Sequence, residues 1–384
     1  MRPTAIKLTA VALIMSILMP FTSMAQQVEK LNVVTTAVPF LRIAPDARAA
    51  GMGDLAIATS PDANSAFWNL AKVPFNEKKG GISASYTPWL KQILNDVYLA
   101  ALSGYYKLDD DQALSASLRY FNLGNIQFTD NQGNDLNTFR PREFGIDFGY
   151  SRKLSAKSGI GVGLKYIYSN LAGGAAAGNT YKAGNAVAGD IAFYTNGHNE
   201  LGQGWAFGAV LSNLGSKISY TDNADQKDFI PANLGLGTTY TKVFNESNKL
   251  TFGVDINKLL VPTPPESPAS QQQIDDYYSK GVVGSWFSSF GDAPGGFSEE
   301  IKEFQASIGA EYTYNDQFSL RAGYFHEDKT KGNRRYFSMG VGVNYSNFGL
   351  NFSYLLPSGS GVDRNPLSNT LRFSLHFDID GGQQ

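Results

Sequence analysis

The chain has 384 residues, 32 of them basic and 34 acidic, with no cysteine and a formal net charge of −2. So even a balance gives no electrostatic ground for binding nucleic acid. The lack of cysteine removes disulfide scaffolds, thiolate nucleophiles and zinc–cysteine sites.

The first element is a processing segment. Arg2 and Lys7 form a basic start, Leu8 to Phe21 is apolar, and Ser23-Met-Ala25 supplies small residues for cleavage. The expectation is a signal peptide over 1–25 and a mature chain from Gln26. Losing Arg2 and Lys7 leaves 30 basic against 34 acidic residues, a net charge of −4. No cysteine follows the cleavage site, so a lipid anchor is excluded. No later run approaches the ~18 apolar residues of a membrane helix.

Residues 26–79 are rich in Ala and Gly and do not alternate. From about Gly80 onward a two-residue beat takes over. Phe144, Ile146, Phe148 and Tyr150 alternate with Glu143, Gly145, Asp147 and Gly149. Ile160, Val162, Leu164, Tyr166 and Tyr168 do the same, as do Leu250, Phe252, Val254 and Ile256. Successive side chains of a strand point to opposite faces, so each such run has one greasy face and one polar face. Aromatics sit at the ends of the apolar sets, where an interfacial girdle needs them. Behind a signal peptide, this is the pattern of a membrane-spanning barrel. The mean hydropathy of −0.22 is compatible, because half of each strand faces a polar lumen. A soluble β-sandwich is the competing reading.

Strands are predicted at 80–87, 97–107, 113–122, 142–152, 159–169, 187–195 and 205–213. The second half adds 232–241, 249–257, 304–314, 317–326, 334–345, 347–356 and 369–378, which makes fourteen. The runs at 80–87, 97–107 and 187–195 alternate least cleanly. Short connections (108–112, 153–158, 196–204, 242–248, 315–316, 346) interleave with longer ones. Short periplasmic turns facing long external loops are the mark of an outer-membrane barrel, all-β, antiparallel and transmembrane. A lumen of fourteen strands must be filled or conduct. Residues 26–79 are therefore expected as a luminal plug entering from the periplasm. Inward glycines such as Gly159, Gly161, Gly163, Gly235, Gly237, Gly340 and Gly342 would let its backbone approach the wall.

The external loop 258–303 is unusual. Pro262, Pro264, Pro265 and Pro268 stiffen its start, and Ser270 with Gln273 offers a capping box for a helix over Ile274–Lys280. Ser298 is the expected cap of a last short helix. Trp286, Phe287 and Phe290 between them form an aromatic cluster, with Trp89 and Leu90 of the first external loop as expected neighbours. Exposed aromatics in a loop point to a partner or lipid interface, unless the loop folds inward as a lid. The last strand sets Leu371, Phe373, Leu375 and Phe377 outward and Arg372, Ser374 and His376 inward.

No constellation for catalysis or metal binding emerges, and no cofactor is expected. His198, His326 and His376 are scattered, and no nucleophile motif accompanies them. The inward Glu143, Asp147, Asp190, Asp255 and Glu311 share the lumen with Arg119, Lys165, Arg321 and Arg372. They read as an ion-paired network joining wall to plug, with Asp46 and Arg48 as participants, or alternatively as a charged permeation path. The acidic stretches Asp130–Asp135 and Asp222–Asp228 miss the spacing of a calcium loop.

The stretch Pro39-Phe-Leu-Arg-Ile-Ala-Pro-Asp-Ala-Arg-Ala-Ala-Gly-Met-Gly-Asp54 is followed by Asp62-Ala-Asn-Ser65 and Phe67-Trp-Asn-Leu-Ala-Lys72. Together they resemble the N-terminal signature of the PorV (LptO) family of the type IX secretion system of Bacteroidota, within the FadL-like fourteen-stranded barrels. The resemblance singles out Arg42, Asp46, Arg48, Gly51, Gly53 and Asp54 as the plug motif. It implies an outer-membrane protein shuttle and no enzyme. The implied partners are an SprA-type translocon barrel, secreted proteins bearing a C-terminal signal domain, and a surface attachment complex with a sortase-like peptidase. The alternative function is a FadL-like transporter of hydrophobic small molecules; an open porin is disfavoured by the plug.

Overall fold

The computed structural model describes residues 31–89, 95–129, 132–171, 174–176, 179–222, 227–356 and 369–380. The expected signal peptide, Leu90 and residues 381–384 lie outside them. Fourteen strands form the wall: β1 (Gly80–Pro88), β2 (Val97–Lys107), β3 (Gln112–Leu123), β4 (Arg142–Lys153), β5 (Ser158–Asn170), β6 (Gly184–Asn196) and β7 (Gly204–Gly215). The second half is β8 (Asn233–Asn245), β9 (Asn248–Leu259), β10 (Phe304–Tyr314), β11 (Phe318–His326), β12 (Arg335–Tyr345), β13 (Phe348–Leu356) and β14 (Leu371–Ile379). Each pairs antiparallel with its sequence neighbours, and β1 pairs with β14 to close the barrel. The closing register runs from Gly80 opposite Ile379 to Tyr86 opposite Phe373. Closure leaves no free edge, which a sheet in lipid requires.

The alternation maps onto the two faces. On β14, Phe373, Leu375 and Phe377 are 43%, 53% and 39% exposed, whereas Arg372 and Ser374 are each 1% exposed. The apolar set faces lipid and the polar set faces the lumen. Strands exceed their predicted spans mostly at the ends: β6 begins at Gly184 rather than 187, and β8 runs on to Asn245 rather than 241. There polar and apolar residues do not alternate, as in Gly184-Asn-Ala186 and Lys242-Val-Phe-Asn245, and the beat is unreadable. Two short hairpins, Ile126–Thr129 with Asp135–Phe139 and Gly174–Ala176 with Asn179–Tyr181, extend external loops. Neither carries enough alternation to have been predicted.

The wall has one irregularity of chemical interest. The register between β6 and β7 shifts between Gly189 and Ile191, and Asn213 adopts a left-handed φ of 57°. Its N–H donates to Asp190 at 2.7 Å and its side-chain amide donates to the carbonyl of Pro231 at 3.0 Å. A bulge re-aims side chains, and this one gathers Asp190 and Asn213 on Lys165, at 3.2 and 2.5 Å.

Candidate functional site: the luminal segment and the outer rim

The N-terminal segment runs the full height of the barrel. At the outer mouth, the N–H of Asn32 donates to the carbonyl of Thr330 at 3.1 Å and that of Ala37 to Phe229 at 2.9 Å. At the opposite end, Lys78 pairs with Asp380 at 2.5 Å and Lys79 donates to the carbonyl of Leu108 in a short turn. Short helical pieces, Pro39–Arg42, Ala47–Ala50, Ser65–Trp68 and Leu70–Phe75, compact the chain between. The described part of the segment is thus tied at the outer face before it descends, whereas a simple periplasmic plug would have no outer anchor.

Its apolar residues pack on the inner wall. Val38, Phe40 and Leu41 join Trp89, Leu99 and Phe121 in one buried cluster, and Ile57, Leu70 and Ala71 join Tyr194, Ala206 and Val210 in another. Contact is closest where the wall has glycine. A Cβ on Gly340 would meet the Cα of Gly51 at 3.1 Å, and one on Gly161 would meet the Cβ of Leu70 at 2.6 Å. Gly53 has φ +71°, and a Cβ there would lie 2.7 Å from the backbone nitrogen of Tyr324. Both conformation and space restrict that position to glycine. Gly342 differs: the space above it holds the side chains of Asn351 and Arg321.

Polar contacts then fix the segment to specific strands. Arg48 binds Glu311 of β10 through Nε at 3.0 Å and Nη2 at 2.8 Å, and Asp62 at 2.9 Å. Glu311 is shared with Arg321 of β11 at 2.6 Å. Asp255 of β9 accepts the N–H groups of Ala56 and Ile57 at 2.7 and 2.9 Å. Ser338 accepts the N–H of Gly53 at 2.8 Å, and Tyr336 donates to Asp54 at 2.6 Å. Arg119 reaches the carbonyls of Leu41 and Phe67. Each of these charges meets a charge or an aligned dipole, as burial requires.

Five expected participants behave otherwise. Asp46 has no ion-pair partner among the described residues. It caps its helix by accepting the N–H of Ala49 at 2.9 Å and accepts the indole N–H of Trp68 at 2.7 Å. Burial, reinforced by the nearby Asp62, pushes its carboxyl above the usual range. Glu143 accepts from Ser169 at 2.7 Å within the wall, and Lys165 joins Asp147 and Asp190, so these charges link strands to each other.

The long loop is built on a buried ion cluster. Lys258 lies on the outward beat of β9 yet is buried, because the turn 300–303 folds over it. Its Nζ sits 2.7 Å from Glu300 and 2.8 Å from Glu303. Lys331 from another loop pairs with Glu299 at 2.5 Å and Glu303 at 2.9 Å. Thr263 donates to Glu303 at 2.7 Å. Sequence reading missed this cluster, since its bonded partners lie 28 to 45 residues apart and carry no local pattern. Ser270 and Gln273 form the predicted capping box, heading the helix Gln271–Ser279. The last helix, Phe297–Glu300, is capped by Gly296 instead of Ser298. Ser298 lies inside that helix and donates back to the carbonyl of Gly295.

Above this base, Phe287 and Phe297 are 76% and 80% exposed, with Val283, Phe290 and Ile301 also exposed. Trp286 is half-buried. Trp89 is not part of the exposed surface. It is buried edge-on against Phe121, 6.0 Å between ring centroids, because its strand turns it toward the luminal cluster.

Two cavities flank Arg42. The inner one, about 80 Å³, is lined among others by Asp54, Arg119, Lys165 and Asp255. The outer one, about 370 Å³, lies between Val33–Thr36, the wall residue Gln305, and Glu327, Lys331 and Arg334 of the loop between β11 and β12.

Solved barrels share the architecture. The Pseudomonas putida toluene transporter TodX superposes with a TM-score of 0.55 at 13% identity, over 88% of this chain and 99% of that one. The monoaromatic hydrocarbon channel CymD gives 0.53 at 12% identity, over 92% and 99%. The toluene transporter TbuX of Ralstonia pickettii gives 0.50 at 11%, over 87% and 98%. At these identities the likeness establishes the fold alone. No curated protein sequence matches the chain. The family model described as type IX secretion system protein PorV matches residues 25–266, well over half of the chain. The chain therefore belongs to the PorV family, an outer-membrane β-barrel component of type IX secretion.

Proposed function

We propose that this barrel is a plugged, non-catalytic shuttle that works by binding other proteins at its outer rim. The luminal segment blocks permeation, and the loop 260–303 presents the docking surface. In this reading the partners are an SprA-type translocon, the C-terminal signal domain of secreted proteins, and the surface attachment complex with its sortase-like peptidase. One observation carries the proposal: the ridge of Phe287, Phe290, Phe297 and Ile301 is exposed while the turn beneath it is fixed by the Lys258–Glu300–Glu303–Lys331 cluster. Large aromatics on a pre-ordered base give interface energy without an ordering cost. Transport of hydrophobic small molecules is less well supported, because the inner cavity is only about 80 Å³ and in both cavities charged side chains interrupt the apolar lining that such a ligand needs.

The test replaces Phe287, Phe290 and Phe297 with serine. The protein should still assemble in the outer membrane, lose co-purification with translocon and cargo, and leave secreted proteins in the periplasm. Unchanged partners and normal secretion would overturn the docking role. Normal secretion with reduced uptake of a hydrophobic compound would favour the transporter.

A further inference from the structure

Toward their outer ends, the lipid-facing sides of β3, β4 and β5 carry two successive rows of side chains. The lower row is aromatic. Tyr120 of β3 stands opposite Phe144 of β4, which stands opposite Tyr168 of β5. The rings of Phe144 and Tyr168 stack with centroids 4.9 Å apart. Tyr98 of β2 continues the band, 6.3 Å from Tyr120 and 5.4 Å from Tyr86 of β1 between ring centroids. Such a band marks the level where acyl chains give way to headgroups.

One step further out the row is polar. Asn122 stands opposite Arg142, and Arg142 opposite Asn170. Strand alternation puts all three on the same side as the aromatic row. Arg142 is exposed, and its guanidinium has no bonded partner among the described residues. The carboxylates at this edge are committed elsewhere. Glu143 points inward and accepts from Ser169, and Asp96 accepts the N–H and side-chain amide of Asn125 at 2.8 and 2.9 Å. The side-chain oxygen of Asn122 likewise has no partner among the described residues.

A guanidinium at headgroup level, directly above an aromatic band, is placed to meet an anion of the lipid, and its planar fork of donors matches a phosphate. Asparagine amides both donate and accept, which suits the hydroxyl and amide groups of a sugar. The outer leaflet of an outer membrane is glycolipid whose sugars carry phosphate. We infer that Asn122, Arg142 and Asn170 form a site for the phosphorylated sugar headgroup of an outer-leaflet glycolipid. The phosphate lies on Arg142, and the acyl chains run down along Tyr120, Phe144 and Tyr168. The inference depends on the barrel's orientation in the membrane and is independent of the docking role of the long loop. A phospholipid would satisfy Arg142 and leave the flanking asparagines unused. Arg152 supplies an internal comparison: it is exposed on the same beat of β4 but at the opposite end, across from Gln112.

The test titrates the full mature chain in a mild detergent with lipid and reads the lipid-bound fraction by native mass spectrometry. The probes are bisphosphorylated lipid A, the same lipid after phosphatase treatment, and dioleoylphosphatidylglycerol. Removing the phosphates should weaken binding about ten-fold or more, the size expected for losing a charge-assisted pair. Arg142→Gln should bring the phosphorylated form down to the level of the dephosphorylated one and leave the latter unchanged. Arg142→Lys keeps the charge, loses the fork, and should fall between; it serves if Arg142→Gln fails to give the heat-modifiable mobility of a folded barrel. Asn170→Leu should weaken both forms of lipid A and leave phosphatidylglycerol unchanged. Arg152→Gln makes the same charge change at the other end of the strand and should alter nothing. Equal affinity for the two forms of lipid A overturns the site, and so does an equal loss in Arg152→Gln. Phosphatidylglycerol binding as tightly as lipid A overturns the sugar assignment. Inorganic phosphate displacing lipid A in an Arg142-dependent way would assign the guanidinium to a soluble anion and overturn the lipid site.

Discussion

Met52 of the luminal segment crosses Gly323 of β11 so closely that a Cβ on that glycine would fall 2.0 Å from the carbonyl carbon of Met52. No side-chain rotation relieves a clash with backbone, so the segment or the strand must move. Gly323→Val should leave an assembled barrel with a displaced segment and a steady conductance in planar bilayers, where the native protein is closed. Native-like closure in this variant would show that the segment does not seal the lumen at this level.

The ion pair of Arg48 with Glu311 should hold the same segment energetically. Glu311 is also the partner of Arg321, so Glu311→Gln takes the shared charge from two buried guanidinium groups and leaves Arg48 with Asp62 and Arg321 with Asn351. Breaking a buried pair by removing one partner costs about 3–5 kcal/mol. Limited proteolysis should then cut within residues 38–76 at lower urea than in the native protein, with the wall still intact. Unchanged protection would mean that Asp255 and Ser338 suffice to hold the segment.

The register of β14 predicts opposite outcomes for neighbours. Phe373→Arg places a charge in lipid at a cost of about 2–4 kcal/mol near mid-membrane and should reduce the folded fraction in an assembly assay. Arg372→Met removes a buried guanidinium whose Nε and Nη1 have no acceptor among the described residues, and should assemble normally. Equal defects in both would contradict the assigned faces.

Lys72 should give the luminal segment a pH dependence. Among the described residues its Nζ donates only to neutral oxygens, the carbonyl of Ala56 at 2.6 Å and the hydroxyl of Thr59 at 3.2 Å. Burial, partly offset by Asp62, lowers its pKa from 10.5 to about 8. The unfolded chain then binds more protons between about pH 8 and 10.5, so stability rises with pH through that window and the penalty is fully present below it. The urea midpoint for release of the segment, followed by Trp68 fluorescence, should be higher at pH 9.5 than at 7.5. Lys72→Met should flatten the difference; a midpoint that falls with pH would refute the assignment.

How much of this was legible depended on whether the signal is local. The fourteen strands follow from a two-residue beat that each strand carries in itself, so Phe373 and Arg372 could be placed before any contact was known. The capping box of Ser270 and Gln273 was readable for the same reason. The cap of the last helix was not, since glycine and serine both start helices and only the backbone of Gly296, at φ 70°, decides. Trp89 looked like a surface aromatic because it was assigned to a loop, whereas it continues the inward beat of Ser83, Ser85 and Thr87 just past the end of β1. Lys258 broke the beat that had assigned its neighbours, because a loop some forty residues away folds over it.

The luminal segment precedes β1 in sequence and is bonded to strands from both halves of the wall, through Ser103 and Ser374 at the seam and Glu311 and Asp255 across from it. With its described start anchored at Thr330 on the outer face, the segment braces the cylinder from within at several heights, on both sides of the seam where Gly80–Tyr86 meets Phe373–Ile379. The cross-section of the wall is thereby held by an internal strut as well as by the ladder of strands.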